Sequence, residues 1–284
     1  MNAQQGDNRT PSRPGDGGDM ETTADRTVAS TVRPGDNPAL RPLLMFAAVA
    51  LPSGWILLGL PVALGLPVAP FVLLTLLCGL VAPAVVMTRR DPHASLGTLL
   101  RDTVRIPRPW LLVPALGAIP GLTWVLAALT GEATTMDADL VSDALVNVVS
   151  SVVIVNLWEE MAWQGFFQRR ASARWGFLQG ALVTAAMFVG VHLALGFADA
   201  DDAGAIGWGL AALVVSGVGL RLLLGALDGW SARSIVTVAV AHASFNTAAD
   251  FVQADADWVR YAVTLVLGLG ALTVVLSRHG GARR

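Results

Sequence analysis

Between residues 43 and 277 the chain passes through eight largely apolar stretches, each near the length a helix needs to cross a bilayer. A helix rises about 1.5 Å per residue, so about 20 apolar residues span the hydrocarbon core. The stretches are 43–65, 69–88, 110–130, 141–166, 177–197, 204–224, 233–250 and 258–277. In lipid every backbone N–H and C=O must be satisfied within the protein, and runs of this length satisfy them as helices. Composition agrees: 54% of residues are hydrophobic and only 14% charged, where a soluble domain carries about a quarter charged. Pro52, Pro61 and Pro83 fall inside the first two stretches and predict kinks there. The seventh stretch is short and polar for a span. The expected fold is an all-α polytopic membrane protein of about eight transmembrane helices.

Arginine placement tests this count. With eight crossings both termini lie on one side, and every arginine except Arg260 then falls on that side or at its edge. This reading takes Arg221 to reach the edge by snorkelling and Asp228 to lie in a loop. The opposite loops are acidic, with Glu132, Asp137, Asp139, Asp199, Asp201, Asp202, Asp255 and Asp257. The positive-inside rule then predicts both termini cytoplasmic, in a plasma or inner membrane. Residues 1–40, rich in Gly, Pro, Asp, Thr and Arg, bury too little apolar surface to fold and are expected to form a disordered cytoplasmic tail. That leaves 41–280 as the membrane domain, with the first apolar stretch retained as a span rather than removed as a signal peptide. Leu96, Leu99, Leu100, Val104 and Ile106 interleave with Arg101, Asp102 and Arg105, a pattern that fits a short amphipathic helix on the cytoplasmic membrane face or a solvated loop. A net charge of −2 offers no basic face for nucleic acid. The lone Cys78, in an apolar run, excludes a disulfide framework and is expected to pack as a small core residue.

Against this background some polar residues are out of place. An ionisable group inside a span costs about 2.5–3.5 kcal/mol on insertion scales and by default marks function. The fourth stretch carries Asn156, Glu159, Glu160 and Gln164 (NLWEEMAWQGFF), the fifth His192 (MFVGVHLALGF), and the seventh His242 and Asn246 (VAVAHASFNTAADF). Adjacent Glu159 and Glu160 differ by about 100° around a helix and should not aim at one point. Asn156 and Gln164, four residues either side of Glu160, should share its face, and His242 and Asn246 should project together. At about 1.5 Å per residue, Glu159 lies about 15 Å from Arg169 and His242 about 14 Å from Arg233, whereas His192 counts about 27 Å from Arg174. Two of the three elements match in depth.

Three chemistries use such a set. A carboxylate beside a histidine can deprotonate a water. A His–Asn pair can donate to an oxyanion. Glu159 with His192 and His242 could instead ligate a divalent metal such as zinc and activate its water, so the sequence is compatible with a metal cofactor or with none. All three point to hydrolysis, and a peptide amide is the expected bond. A proton relay in a carrier is the reading from another class, but the chain lacks the internal repeat that such carriers often show.

At these residues the sequence resembles the CPBP intramembrane protease family, which includes the type II CAAX prenyl endopeptidases and bacteriocin-processing or immunity relatives. The family pattern is E-E-x-x-x-R, then F-x-x-x-H, then H-x-x-x-N. Glu159–Glu160, Phe188 to His192, and His242 to Asn246 fill it in order, within a core of about 140–252. The resemblance implies an intramembrane endopeptidase acting on membrane-associated peptides or proteins, and the expected place of cleavage is near the cytoplasmic face. In it Glu159 and His192 activate water while His242 and Asn246 stabilise the oxyanion, with Glu160, Asn156 and Gln164 in support. Gln164 departs from the pattern, standing where the family usually has Arg. Glu160 is then expected to be protonated or to borrow Arg169 or Arg170. A catalytically inert scaffold or self-immunity protein of the same fold is the alternative, and Gln164 is its supporting feature.

Overall fold

A computed structural model describes residues 40–281 except 107, 199 and 201. The expected tail lies outside the described residues. Among those described there is no β-strand, only one isolated bridge between Ala133 and Val252, and the chain is a bundle of helices. Seven are long and apolar enough to cross a membrane. In chain order the helices are α1 (Leu40–Leu64), α2 (Ala69–Arg90), α3 (Leu96–Val104), α4 (Leu112–Thr130), α5 (Ala138–Trp175), α6 (Phe177–His192), α7 (Ala203–Trp230), α8 (Ile235–Thr247) and α9 (Trp258–Gly281). Large apolar side chains such as Ile56, Val113, Leu129, Val149 and Val266 cover the outer surface, the inverse of a soluble domain and the surface that lipid requires.

Helix α8 has 13 residues, too few to span alone, yet the chain crosses the bundle there. Its neighbour α4 is tied to it at both ends. At one end Arg108 donates to the Trp230 carbonyl (2.6 Å) and Arg105 to that of Ala232 (3.2 Å). At the other, the Ala133–Val252 bridge joins the segments that follow the two helices. Helices α4 and α8 therefore run parallel, and α8 with its flanks covers the same thickness as the full-length α4. This gives eight crossings, and helix direction alternates along them. One end of the bundle gathers Arg89, Arg90, Arg169, Arg170, Arg174 and Arg233. At the other end Asp137 and Asp202 cap α5 and α7, accepting from the Leu140 and Ala205 N–H groups, both at 2.8 Å. Part of the acidic signal in the sequence is thus helix capping.

Three features differ from expectation. Cys78 is exposed on the lipid-facing side of α2 rather than buried. Helices α5 and α7 overrun their predicted stretches, reaching 38 and 28 residues. The extra turns of α7 hold Asp228 within the helix, and Arg221 is fully buried, so neither the loop nor the snorkelling reading holds. Helix α3 does form, with Ser95 capping it by accepting from Thr98 N–H. It lies across the arginine-rich end with Leu99, Asp102 and Thr103 turned inward and Leu100 and Val104 outward.

The turn between α5 and α6 sets the register of the site. Gly176 takes φ +85°, a left-handed conformation that glycine adopts without steric cost. At Gly180 an added Cβ would sit 2.5 Å from the Ser172 backbone, so the two helices leave the turn in close contact. Glu159 lies 17 residues before Gly176 and His192 16 residues after it. The hairpin therefore brings them to one level, which corrects the mismatch obtained by counting Glu159 from Arg169, seven residues before the turn, and His192 from Arg174, two before it. Replacing Gly180 by Val should cost at least the ~1–3 kcal/mol typical of overpacking. A lowered melting temperature of the detergent-solubilised protein would register it; an unchanged one would contradict the close approach.

Candidate active site

The polar residues of α5, α6 and α8 meet in one layer. His192 Nε2 lies 3.6 Å from Glu159 Oε1. His242 Nδ1 lies 2.6 Å from Glu160 Oε1 and 3.9 Å from Glu159 Oε2. One histidine thus reaches both carboxylates, although the sequence reading had them diverge. Helix α5 explains part of this difference. It is π-helical over Val152–Asn156 and Met161–Gln168, on both sides of the Glu pair. A hydrogen-bond step of five residues rotates side chains away from the four-residue faces assumed for a plain α-helix, and such bulges are frequent at functional sites. The same rotation accounts for Gln164. It does not face Glu160 but donates from Nε2 to Asp228 (3.2 Å).

Glu160 is completely buried, and its partner is a residue that the sequence reading missed. Arg221 of α7 donates to both carboxylate oxygens, at 2.6 and 2.9 Å, and is itself completely buried. Neither Arg169 nor Arg170 fills this role: Arg169 pairs with Asp102 and Asp228, and Arg170 with Asp91. The position could have been read from depth. Arg221 lies nine residues before Trp230 and Glu160 nine before Arg169, so both sit the same distance inside the arginine-rich end. A two-pronged guanidinium on a carboxylate is the strongest neutralising geometry available to a buried acid. With both oxygens accepting from Arg221, Glu160 can only accept from His242, which fixes Nδ1 as the protonated ring nitrogen facing it.

Phe188, the aromatic of the F-x-x-x-H motif, holds this layer together. Its ring centroid is 4.4 Å from that of His192 and 5.9 Å from that of His242, and the Arg221 guanidinium carbon sits 4.6 Å from its centre. It also meets Trp163 edge-on at 6.0 Å. The Phe188 carbonyl accepts from His192 Nδ1–H at 2.8 Å, an arrangement that leaves the Nε2 lone pair turned to Glu159.

Asn156, Glu159, His192, His242 and Asn246 all line one cavity of about 550 Å³. Glu160 and Gln164 stand behind its wall. Both polar atoms of the Asn156 amide are buried without a hydrogen-bond partner among the described residues. A buried amide left open beside a cavity is suited to hold water or a polar ligand.

The same distances test a metal. Zinc sites use three protein ligands or more. Among the described His and carboxylate side chains of the cavity, only Glu159 and His192 Nε2 present lone pairs to a common point, because the His242 nitrogen facing them is Nδ1, whose proton is committed to Glu160. Among the described residues no group of three His, Cys, Asp or Glu is set to hold a metal. The donor set does not fit the zinc alternative considered from sequence.

Residues 141–248 match the family model described as type II CAAX prenyl endopeptidase Rce1-like. The matched segment, 108 of the 284 residues, carries all three polar motifs and supports the resemblance to the CPBP family read from them. A search of curated proteins gives no match.

Breaking a buried ion pair by removing one partner costs about 3–5 kcal/mol, because the other charge is left unpaired. Arg221→Gln should therefore lower the melting temperature of the solubilised protein substantially, whereas Arg101→Gln, at an exposed position, should leave it unchanged. Equal effects of the two substitutions would contradict the role assigned to Arg221.

Proposed function

We propose that the protein is an intramembrane endopeptidase that hydrolyses peptide bonds of membrane-associated substrates with a water held between Glu159 and His192. The observation that carries this reading is the 3.6 Å separation of Glu159 Oε1 and His192 Nε2, together with the bond from His192 Nδ1 to the Phe188 carbonyl. These leave two acceptors facing each other. One water donating a proton to each satisfies both, and such a water is polarised for attack.

In the proposed reaction the water oxygen bonds to the scissile carbonyl carbon while Glu159 takes its proton. The carbonyl oxygen becomes an oxyanion. Asn246, four residues on from His242 and on the same cavity wall, supplies an amide donor for it. His242 can add a donor from Nε2 only as the imidazolium, since Nδ1–H is already given to Glu160. The C–N bond then breaks and the proton held by Glu159 passes to the leaving amine. Glu160 and Arg221 touch no reacting atom in this scheme and instead fix the His242 ring.

The inert-scaffold alternative rested on Gln164 replacing the family Arg. With Arg221 supplying the counter-ion of Glu160 from another helix, that feature no longer favours it. The cavity is also the right size for a short peptide segment, within the usual range of about 300–1,000 Å³ for ligand sites.

Glu159→Gln and His192→Ala should each abolish cleavage of a membrane-tethered peptide by the purified protein, with folding retained. Asn246→Ala should lower the rate by about 10²–10³, the usual loss of one oxyanion donor. Full activity of Glu159→Gln would overturn the assignment.

A further inference from the structure

The two ends of the bundle differ in whether they admit anything to the site. The residues lining the cavity come from its arginine-poor half: Leu58 of α1, Val72 of α2, Leu195 and Ala200 of the connection after α6, Trp208 of α7 and Tyr261 of α9. Ala198 and Ala200 belong to the loop that precedes the Asp202 cap, so the cavity runs from the Glu159 layer out to that end. Among the described residues, none nearer the arginine-rich end than Leu80, Phe188 and His242 lines it.

That end is closed by two layers. Below Glu160, the side chains of Trp163, Phe166, Phe167 and Gln168 are all buried, and Phe46 packs on three of them with ring centroids 5.3–5.5 Å apart. Beneath these, Arg169 joins Asp102 of α3 (2.9 Å) to Asp228 of α7 (2.7 Å) and donates to the Arg233 carbonyl (3.0 Å). Ser234 hydrogen-bonds the Arg105 carbonyl, and Leu99 lies over Gly165. Helix α3 is held as a lid on this end by buried charges rather than resting loosely on a membrane surface.

From these two observations we infer that substrate reaches the site from the arginine-poor end, which the arginine distribution makes the extracytoplasmic side, opposite to the cytoplasmic face expected from the sequence. The inference rests on the peptidase reading above for the word substrate, and names its class: a membrane-anchored polypeptide whose cleavable segment lies at the extracytoplasmic interface. The walls suit an uncharged stretch, since Leu58, Val72, Leu195, Trp208 and Phe245 are apolar and Arg260 is paired with Asp257 at 2.6 Å.

Accessibility tests the route without any need for catalysis. In a Cys78→Ser background, Ser216→Cys places a near-isosteric thiol in the cavity wall, Ala205→Cys places one near its mouth, and Thr98→Cys places one on α3. A charged, membrane-impermeant thiol reagent added to intact cells should modify Ser216→Cys and Ala205→Cys, and should reach Thr98→Cys only after permeabilisation. Modification of the cavity thiols only after permeabilisation, or of Thr98→Cys in intact cells, would overturn the inference; so would a Ser216→Cys thiol unreactive in both conditions. If labelling follows the expected pattern while the purified wild-type protein cleaves no membrane-tethered peptide, the peptidase reading fails and the route of access stands.

Discussion

The bidentate ion pair between Glu160 and Arg221 is the interaction on which the rest of the site depends. Two opposite charges buried at this depth are tolerable only together, because either one alone would carry an uncompensated desolvation cost. Their pairing fixes the distance between α5 and α7 at one level of the bundle. The carboxylate then orients His242 of α8 through a 2.6 Å hydrogen bond, and the guanidinium rests on Phe188 of α6. Four helices are thereby locked in register around a single layer. Glu159, the adjacent residue on α5, is left free of that pair and turned to the cavity.

This division of labour between neighbouring carboxylates follows from environment rather than identity. Glu160 is surrounded by donors and walled off, which suits a positioning group. Glu159 has a histidine lone pair beside it and an apolar cavity in front, which suits a base. The π-helical turns of α5 on either side let one helix present both. They carry a cost in regular hydrogen bonding, offset where tertiary contacts hold the bulge in place. Above this layer the bundle is open and lined by small and apolar side chains. Below it, aromatic packing and the Asp102–Arg169–Asp228 cluster close the structure. The same charged layer that organises the site therefore also marks the floor of the cavity.

Much of the fold was legible because lipid imposes strict rules. Helix length, arginine segregation and polar residues within apolar runs gave the all-α class, eight crossings and the three elements that meet at the site. The convergence of Glu159, His192, His242 and Asn246 on one cavity follows the motif order read from the sequence. The errors have a common cause in assuming ideal α-helical geometry and span ends. Counting depth from the nearest arginine set Glu159 and His192 at different levels, because Arg169 lies seven residues before the turn at Gly176 and Arg174 only two. Four-residue spacing placed Gln164 on the Glu160 face, and π-helical rotation turned it to Asp228. Arg221 was assigned to the membrane edge because an arginine in a span commonly snorkels, and its partner on another helix is invisible to local pattern. Sequence reveals that a buried charge needs a partner, but not which helix supplies it.

The central claim is that Glu160 and Arg221 act as one buried unit. A double-mutant cycle measures this most directly, comparing the unfolding free energies of Glu160→Gln, Arg221→Gln and the double variant with wild type. The account predicts that the double variant is more stable than Arg221→Gln alone, because removing both charges spares the penalty of leaving one unpaired. Losses that simply add, with the double variant the least stable of the three, would contradict it.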